Sequence, residues 1–405
     1  MMCWRKFRLL MLLVILPVLQ PGTLAHAAAP YHVGIISSDA SQSGDENQGA
    51  RAMIRTYGEV KDGGMIDLKH YAGDFIGEQQ KTVALIAAMA ADPLMKAIIV
   101  NQAVPGTLEG FRQVRSKRAD ILLIAIGPHE SPQALSKTAD LVLRNDFISA
   151  GYRVVWSARQ LGAKNFVHLS FPRHLKIETI NRRRMIMAQA CADLGLRFID
   201  ETVPDPLDKQ GMVVAQQYVH DKVPQWLRKY GQETAFFATN DAQTEPLIRQ
   251  VIALGGFFIE ASLPAPLLGY PAALGMDFKG GMLDFDVVMN RLEEAIIAKG
   301  GAGRLGSWAY SSSYAATAGS IQHAINCIEG RSKMTDLRDI FRAFGKFTSG
   351  AKWSGSYYME APRGEKISNF VLMLQDTYIF GKGYMHATDV DVPKKYFMIP
   401  ASYPK

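Results

Sequence analysis

Residues Thr234 to Gly256 read TAFFATNDAQTEPLIRQVIALGG. Ala235 to Ala238 is a short apolar run with two aromatics, the pattern of a strand covered on both faces. Polar residues follow at once: Thr239, Asn240, Asp241, Gln243 and Thr244. Pro246 falls in the first turn of a helix, where its missing N–H costs nothing. Leu247, Ile248, Val251, Ile252 and Leu254 keep a helical spacing that Gly255-Gly256 ends. A buried parallel strand therefore runs into a carboxylate-bearing turn that opens a helix. In open α/β sheets, ligands bind at that end of the strands.

Working outward, the 405 residues are 48% hydrophobic and 20% charged, enough for two domains with sizeable cores. The N-terminus reads as a separate object. Arg5, Lys6 and Arg8 precede an apolar run from Leu9 to Leu19, and Ala25-His26-Ala27 offers small residues around a cleavage point. Residues 1–27 are thus expected to be a secretory signal peptide, too short for a spanning helix, with cleavage near Ala27. The mature chain is expected to be periplasmic or secreted. The leader holds three of the +7 net charges, which leaves about +4, too little and too dispersed for a nucleic-acid surface. Cys191 and Cys327 lie in apolar helical patterns and read as two free thiols. No Cys/His spacing of a metal site occurs, and no cofactor is expected.

From Tyr31 onward, strand-like and helix-like segments alternate. His32–Asp39, the MIDLKHYAG segment, Ala97–Val100, Ile121–Gly127 and DLVLRND form a first set of five strands separated by helices. A second set follows: NFVHLSF, RFIDETV, the opening strand and FFIEASL. This alternation predicts doubly wound parallel sheets with right-handed crossovers, in two similar lobes joined by a hinge. We assign residues 28–147 with about 275–345 to the first lobe, and 148–274 with about 346–405 to the second.

Asn145 to Leu169, NDFISAGYRVVWSARQLGAKNFVHL, resembles the passage between lobes in type 1 periplasmic binding proteins and their repressor relatives. Asp146, Gly151 and Gly162 fill that pattern. Arg183, with Ala190 and Gly195, is similar to the family's second-lobe Arg-x-x-Gly helix, although Ile186 replaces the Gly. Asn240-Asp241 looks like its strand-Asn-Asp turn, with Thr244 and Pro246 in place of small residues. The likeness spans roughly Val33 to Gly275, and is greatest to an exported bacterial family within this group. It implies capture of a small polar solute, and delivery to a membrane permease of an ABC-type importer, by a monomer. The same fold also serves periplasmic sensory receptors.

In such a protein the site lies between the strand ends of both lobes. The candidates there are Ser38 and Asp39; Asn101 and Gln102; His129; Asn145 and Asp146; Arg173; and Asn240, Asp241 and Gln243. Tyr310, near the expected return of the chain through the cleft, could stack on a sugar or base; so could Trp308. Each has a plainer alternative. Asp, Asn and Ser cap helices and turns on backbone grounds alone, and buried aromatics pack cores. Arg182 and Arg184 read as a solvated helix face, and Arg183 as pairing within its lobe. An enzyme is not expected. Gly301–Gly306 matches G-x-G-x-x-G but follows a helix, and there is no G-x-S-x-G, P-loop or H-E-x-x-H. A secreted hydrolase would need a triad assembled from scattered residues.

Overall fold

The computed structural model describes residues 29–38, 44–209, 211–278 and 284–403. The signal-peptide and cleavage-site readings, and Asp39, fall outside them. The first pass through lobe 1 is β1 (His32–Ser37), α1 (Gly44–Tyr57), β2 (Ile66–His70), α2 (Gln79–Ala90), β3 (Met95–Asn101), α3 (Thr107–Lys117), β4 (Leu122–Ile126), α4 (Pro132–Leu135) and β5 (Leu141–Asn145). Asp146 then caps the next helix, accepting from the Ser149 N–H at 2.8 Å, and the chain enters lobe 2. That lobe holds α5 (Phe147–Gln160), β6 (Asn165–Ser170), α6 (Pro172–Leu175), α7 (Glu178–Leu194), β7 (Arg197–Thr202), α8 (Gly211–Tyr230) and β8 (Thr234–Ala238). It continues through α9 (Thr244–Leu254), β9 (Phe257–Phe258), α10 (Tyr270–Leu274), α11 (Phe285–Ala298) and β10 (Gly306–Ser307).

The chain returns at residues 308–311 to give lobe 1 α12 (Ser312–Ile328), α13 (Leu337–Gly345), β11 (Trp353–Glu360) and β12 (Glu365–Gln375). A third crossing leads to β13 (Tyr378–Ile379), β14 (Gly383–Tyr384) and α14 (Lys394–Phe397). Lobe 1 is one seven-stranded sheet in the order β11-β12-β5-β4-β3-β1-β2. Lobe 2 has the order β7-β6-β8-β9, with a small β10-β13-β14 sheet beside it. Strands β1 to β9 pair in parallel within their sheets, and β12 continues parallel to β5. All five residues of β8 are buried, as its uninterrupted apolar run requires. This is the two-lobed type 1 periplasmic binding protein fold expected from the sequence.

The lobe boundaries need correction. Helix α11 packs Phe285, Val288 and Leu292 into the lobe 2 core, so the return crossing lies near 308 and not near 275. Residues 353–375 do not join lobe 2. They extend the lobe 1 sheet at β5, where Phe370 to Met373 pair with Val142 to Asn145. Only the tail beyond the third crossing goes back to lobe 2. There Tyr396 donates to Asp193, and the Ser402 N–H donates to Asn181. Both cysteines are free thiols, Cys191 buried and Cys327 half-buried. Among the described residues no helix is long and apolar enough to cross a membrane.

Candidate functional site

The strand ends of both lobes face a cleft of about 1130 Å³. Helix α1 is brought to its rim by close packing on α12. A Cβ at Gly49 would sit 2.7 Å from the Tyr314 carbonyl oxygen, so only glycine lets the helices approach this far. That contact places Asp45 and Glu46, in the first turn of α1, beside the start of α12. Ser311 hydrogen-bonds the Asp45 carboxylate, whose pKa burial raises.

Glu46 is the centre of the lobe 1 wall. It accepts from Gln102 Nε2 at 2.8 Å, Ser38 Oγ at 3.1 Å and Ser37 Oγ at 3.3 Å. Asn101 Nδ2 donates to Ser37 Oγ at 3.2 Å, and Thr317 donates to Asn101 at 3.2 Å. Burial raises the Glu46 pKa, and these donors pull it partly back. Gln102 sits at φ 56° and Ala103 at φ 27°, left-handed backbone that non-glycine residues rarely adopt. Strain of this kind clusters at binding sites, and here it turns the Gln102 amide onto Glu46.

Farther along the same wall, His129 stands edge-on to Phe75 at 5.3 Å. Burial, and then the Arg144 charge, lower its pKa and keep it neutral. Glu130 is occupied with the backbone N–H groups of Gly106 and Leu108, at 3.2 and 2.7 Å. Asn145 donates to Ser312 Oγ at 3.3 Å. Arg144, at the end of β5, has no hydrogen-bond acceptor or ion-pair partner among the described residues. Its guanidinium lies 5.8 Å from the Phe147 ring centroid, and burial lowers its pKa.

The lobe 2 wall is built on β8. Thr239 Oγ1 lies 2.9 Å from Ser170 Oγ and 3.3 Å from His174 Nδ1. Asn240 accepts from the Ala242 N–H at 3.0 Å, and its amide nitrogen lies 3.4 Å from His174 Nε2. Burial, followed by the Arg173 charge, pushes the His174 pKa down to about 4. Among the described residues Asp241 has no hydrogen-bond donor on its carboxylate, only the electrostatic pull of Arg183. Burial raises its pKa to about 6. Behind this wall Arg183 is fully buried between the rings of Phe147 and Phe237, at 4.4 and 4.7 Å, and donates to Ser262 Oγ at 2.8 Å. It therefore bonds within its lobe.

The cleft lining thus includes Asn101, Gln102, His129, Asn145, Asn240 and Asp241. Ser38 does not line the cleft; its hydroxyl donates to Glu46, which does. Four expected residues lie elsewhere. Asp146 is buried as a helix cap, held by a short local bond and by Ser356 at 3.4 Å. Arg173 turns outward to a bidentate pair with Asp205, at 2.7 and 2.8 Å. Gln243 is fully buried under the turn, with neither amide atom bonded. Tyr310 is a core residue packed on Phe285 and Tyr314, its hydroxyl directed at the Ser349 carbonyl at 3.1 Å. Trp308 packs on Trp353 in the same way. Arg182 is not solvated but buried, and Arg184 pairs with Asp200. Sequence reasoning missed Asp45, Glu46, Arg144, His174 and Thr179. The first two lie in the polar run after β1 that also holds Asp39, so the signal was present but its register was not. Among the described residues no cluster of His, Cys, Asp and Glu could hold a metal ion.

A family model described as a protein of unknown function (DUF3798) matches residues 31–306, and a second family model matches 317–399. An uncharacterized protein of Treponema pallidum (strain Nichols) is 38% identical over 218 residues, covering 54% of this chain and 99% of that one. A second from the same strain is 40% identical over 182 residues, 44% of this chain and 82% of that one. Among solved structures, a protein of Clostridium difficile 630 provisionally described as a transcriptional regulator superposes with a TM-score of 0.77. It shares 20% identity and covers 87% of this chain and 100% of that one, a likeness of fold.

Proposed function

The chain belongs to the DUF3798 family, and we propose that it is an exported solute-binding protein whose two lobes close on a small polar ligand. The observation that carries this reading is the cleft between the strand ends, where buried polar groups from both lobes converge with hydrogen-bonding capacity unspent. Asp241 and Arg144 both line it, one from each lobe, and neither has a partner of its own. A half-buried charge left unpaired is costly to the empty protein, and a ligand of complementary polarity removes that cost on binding. Three crossing segments between rigid sheets are the connections about which lobes of this kind close.

Binding, the role proposed here, needs only that the cleft present donors and acceptors to a solute. Delivery to the permease of an ABC-type importer is the finer proposal, and it rests on the expected export signal together with the fold. A thermal-shift screen of monosaccharides, nucleosides and amino acids tests the binding step. A true ligand at a hundred times its dissociation constant adds about 2.7 kcal/mol to the unfolding free energy. The same ligand should lower the radius of gyration in solution scattering. An unchanged radius at saturation would rule out closure.

A further inference from the structure

Helix α7 begins in the cleft: Ile177, Glu178, Thr179 and Ile180 all line it. The helix has 17 residues, its N-cap position is Ile177, and no side chain caps it. Its first N–H groups therefore face the cleft without a side-chain acceptor. Thr179 is 5% exposed, and its hydroxyl has no hydrogen-bond partner among the described residues. From the opposite lobe Arg144 reaches the same cleft without an acceptor. Arg183 adds positive charge behind the wall, close enough to feel the Arg144 charge.

We propose that the solute carries an anionic group, a carboxylate or a phosphate. This group is clasped between Arg144 of lobe 1 and the uncapped start of α7 with Thr179 of lobe 2. The inference rests on the solute-binding reading and narrows it to acidic ligands. A guanidinium offers parallel N–H donors that match two oxygens of such a group, and a helix start presents free N–H groups with a favourable dipole. Glu178 is the negative charge that Arg144 feels most, and one of its two carboxylate oxygens is already committed. It accepts from Arg182 at 3.0 Å and from the Tyr358 hydroxyl at 3.2 Å. The remainder of the ligand meets Asp241 and Asp45, which accept from hydroxyl or ammonium donors. Because the two halves of the anion site lie on different lobes, an anion bound there also holds the lobes together.

The test uses inorganic phosphate and acetate as separate probes of the two chemistries. Each is titrated into the purified protein, with chloride holding ionic strength constant and melting temperature as the readout. One of the two should raise the melting temperature. Arg144→Gln should weaken that binding about tenfold or more, and Thr179→Val about two- to tenfold. Arg144→Lys, which keeps the charge, should retain part of it, and Arg173→Ala all of it. Circular dichroism confirms that each variant is folded. No rise beyond chloride in the wild type, or an equal rise in Arg144→Gln, would overturn the proposal. A neutral molecule released in stoichiometric amount from the purified protein would also overturn it, while leaving solute binding itself in place.

Discussion

Two arginines share Glu178 and Tyr358 as neighbours, and they are treated in opposite ways. Arg182, on α7, is 1% exposed. It donates to the carbonyls of Phe397, Ile399 and Met359 at 2.8, 3.0 and 3.1 Å, and to Glu178 at 3.0 Å. It sews the C-terminal tail and the β11 hairpin onto lobe 2. Arg144, on β5, is half-buried and has no hydrogen-bond or ion-pair partner among the described residues. The first arginine is architecture, with every bond made in the folded chain. The second keeps its donors free among the described residues, as the proposed ligand contact requires. The carboxylates repeat the contrast: Asp146 is spent on a cap and Asp241 is not. What a strand-end charge is already bonded to decides whether it is structure or site.

Substitutions should separate the two kinds of residue by which quantity moves. The largest effect falls on the spent side. Arg182→Met leaves three carbonyls without their donor and should cost about 3 kcal/mol or more in urea unfolding. It should leave ligand affinity in the folded fraction unchanged. Arg144→Gln should do the reverse: affinity for the co-purifying solute falls about 10- to 100-fold, while unfolding free energy stays within about 1 kcal/mol. If Arg144→Gln unfolds the protein instead, the contrast fails.

Asp241→Asn comes next, with an affinity loss of about tenfold and a distinct pH signature. Burial raises the Asp241 pKa from 3.8 to about 6, so the folded state holds its proton to higher pH than the unfolded chain does. Its contribution to stability is therefore fully present below about pH 4 and is lost as pH rises through about 6. Asp241→Asn should remove that part of the slope in a pH series of unfolding curves. The smallest effect is that of Arg173→Ala. An exposed ion pair with Asp205 is worth about 0–1 kcal/mol, and affinity should change less than twofold.

The alternation of strands and helices was legible because each buried parallel strand is an unbroken apolar run between turn residues. The Asn240-Asp241 turn was legible for the same reason: polar residues directly after such a run mark the strand end. Arg144 was not. It sits inside DLVLRND, where an arginine at a strand end reads as ordinary, and its lack of a partner exists only in three dimensions. Arg173 misled in the converse way, since Asp205, which occupies it, lies in the loop after the neighbouring strand β7. The insertion of β12 beside β5 was equally hidden. Parallel pairing across more than two hundred residues leaves no local trace in either segment.

The most direct test of the whole account is native mass spectrometry of the mature protein, followed by denaturation and identification of what is released. The wild type should carry one small polar molecule with an acidic group, after purification or after incubation with a deproteinised cell extract. The Arg144→Gln/Asp241→Asn double variant should carry none. A bare polypeptide mass for the wild type under both conditions, or equal occupancy in the double variant, would contradict the assignment of the cleft as a solute site.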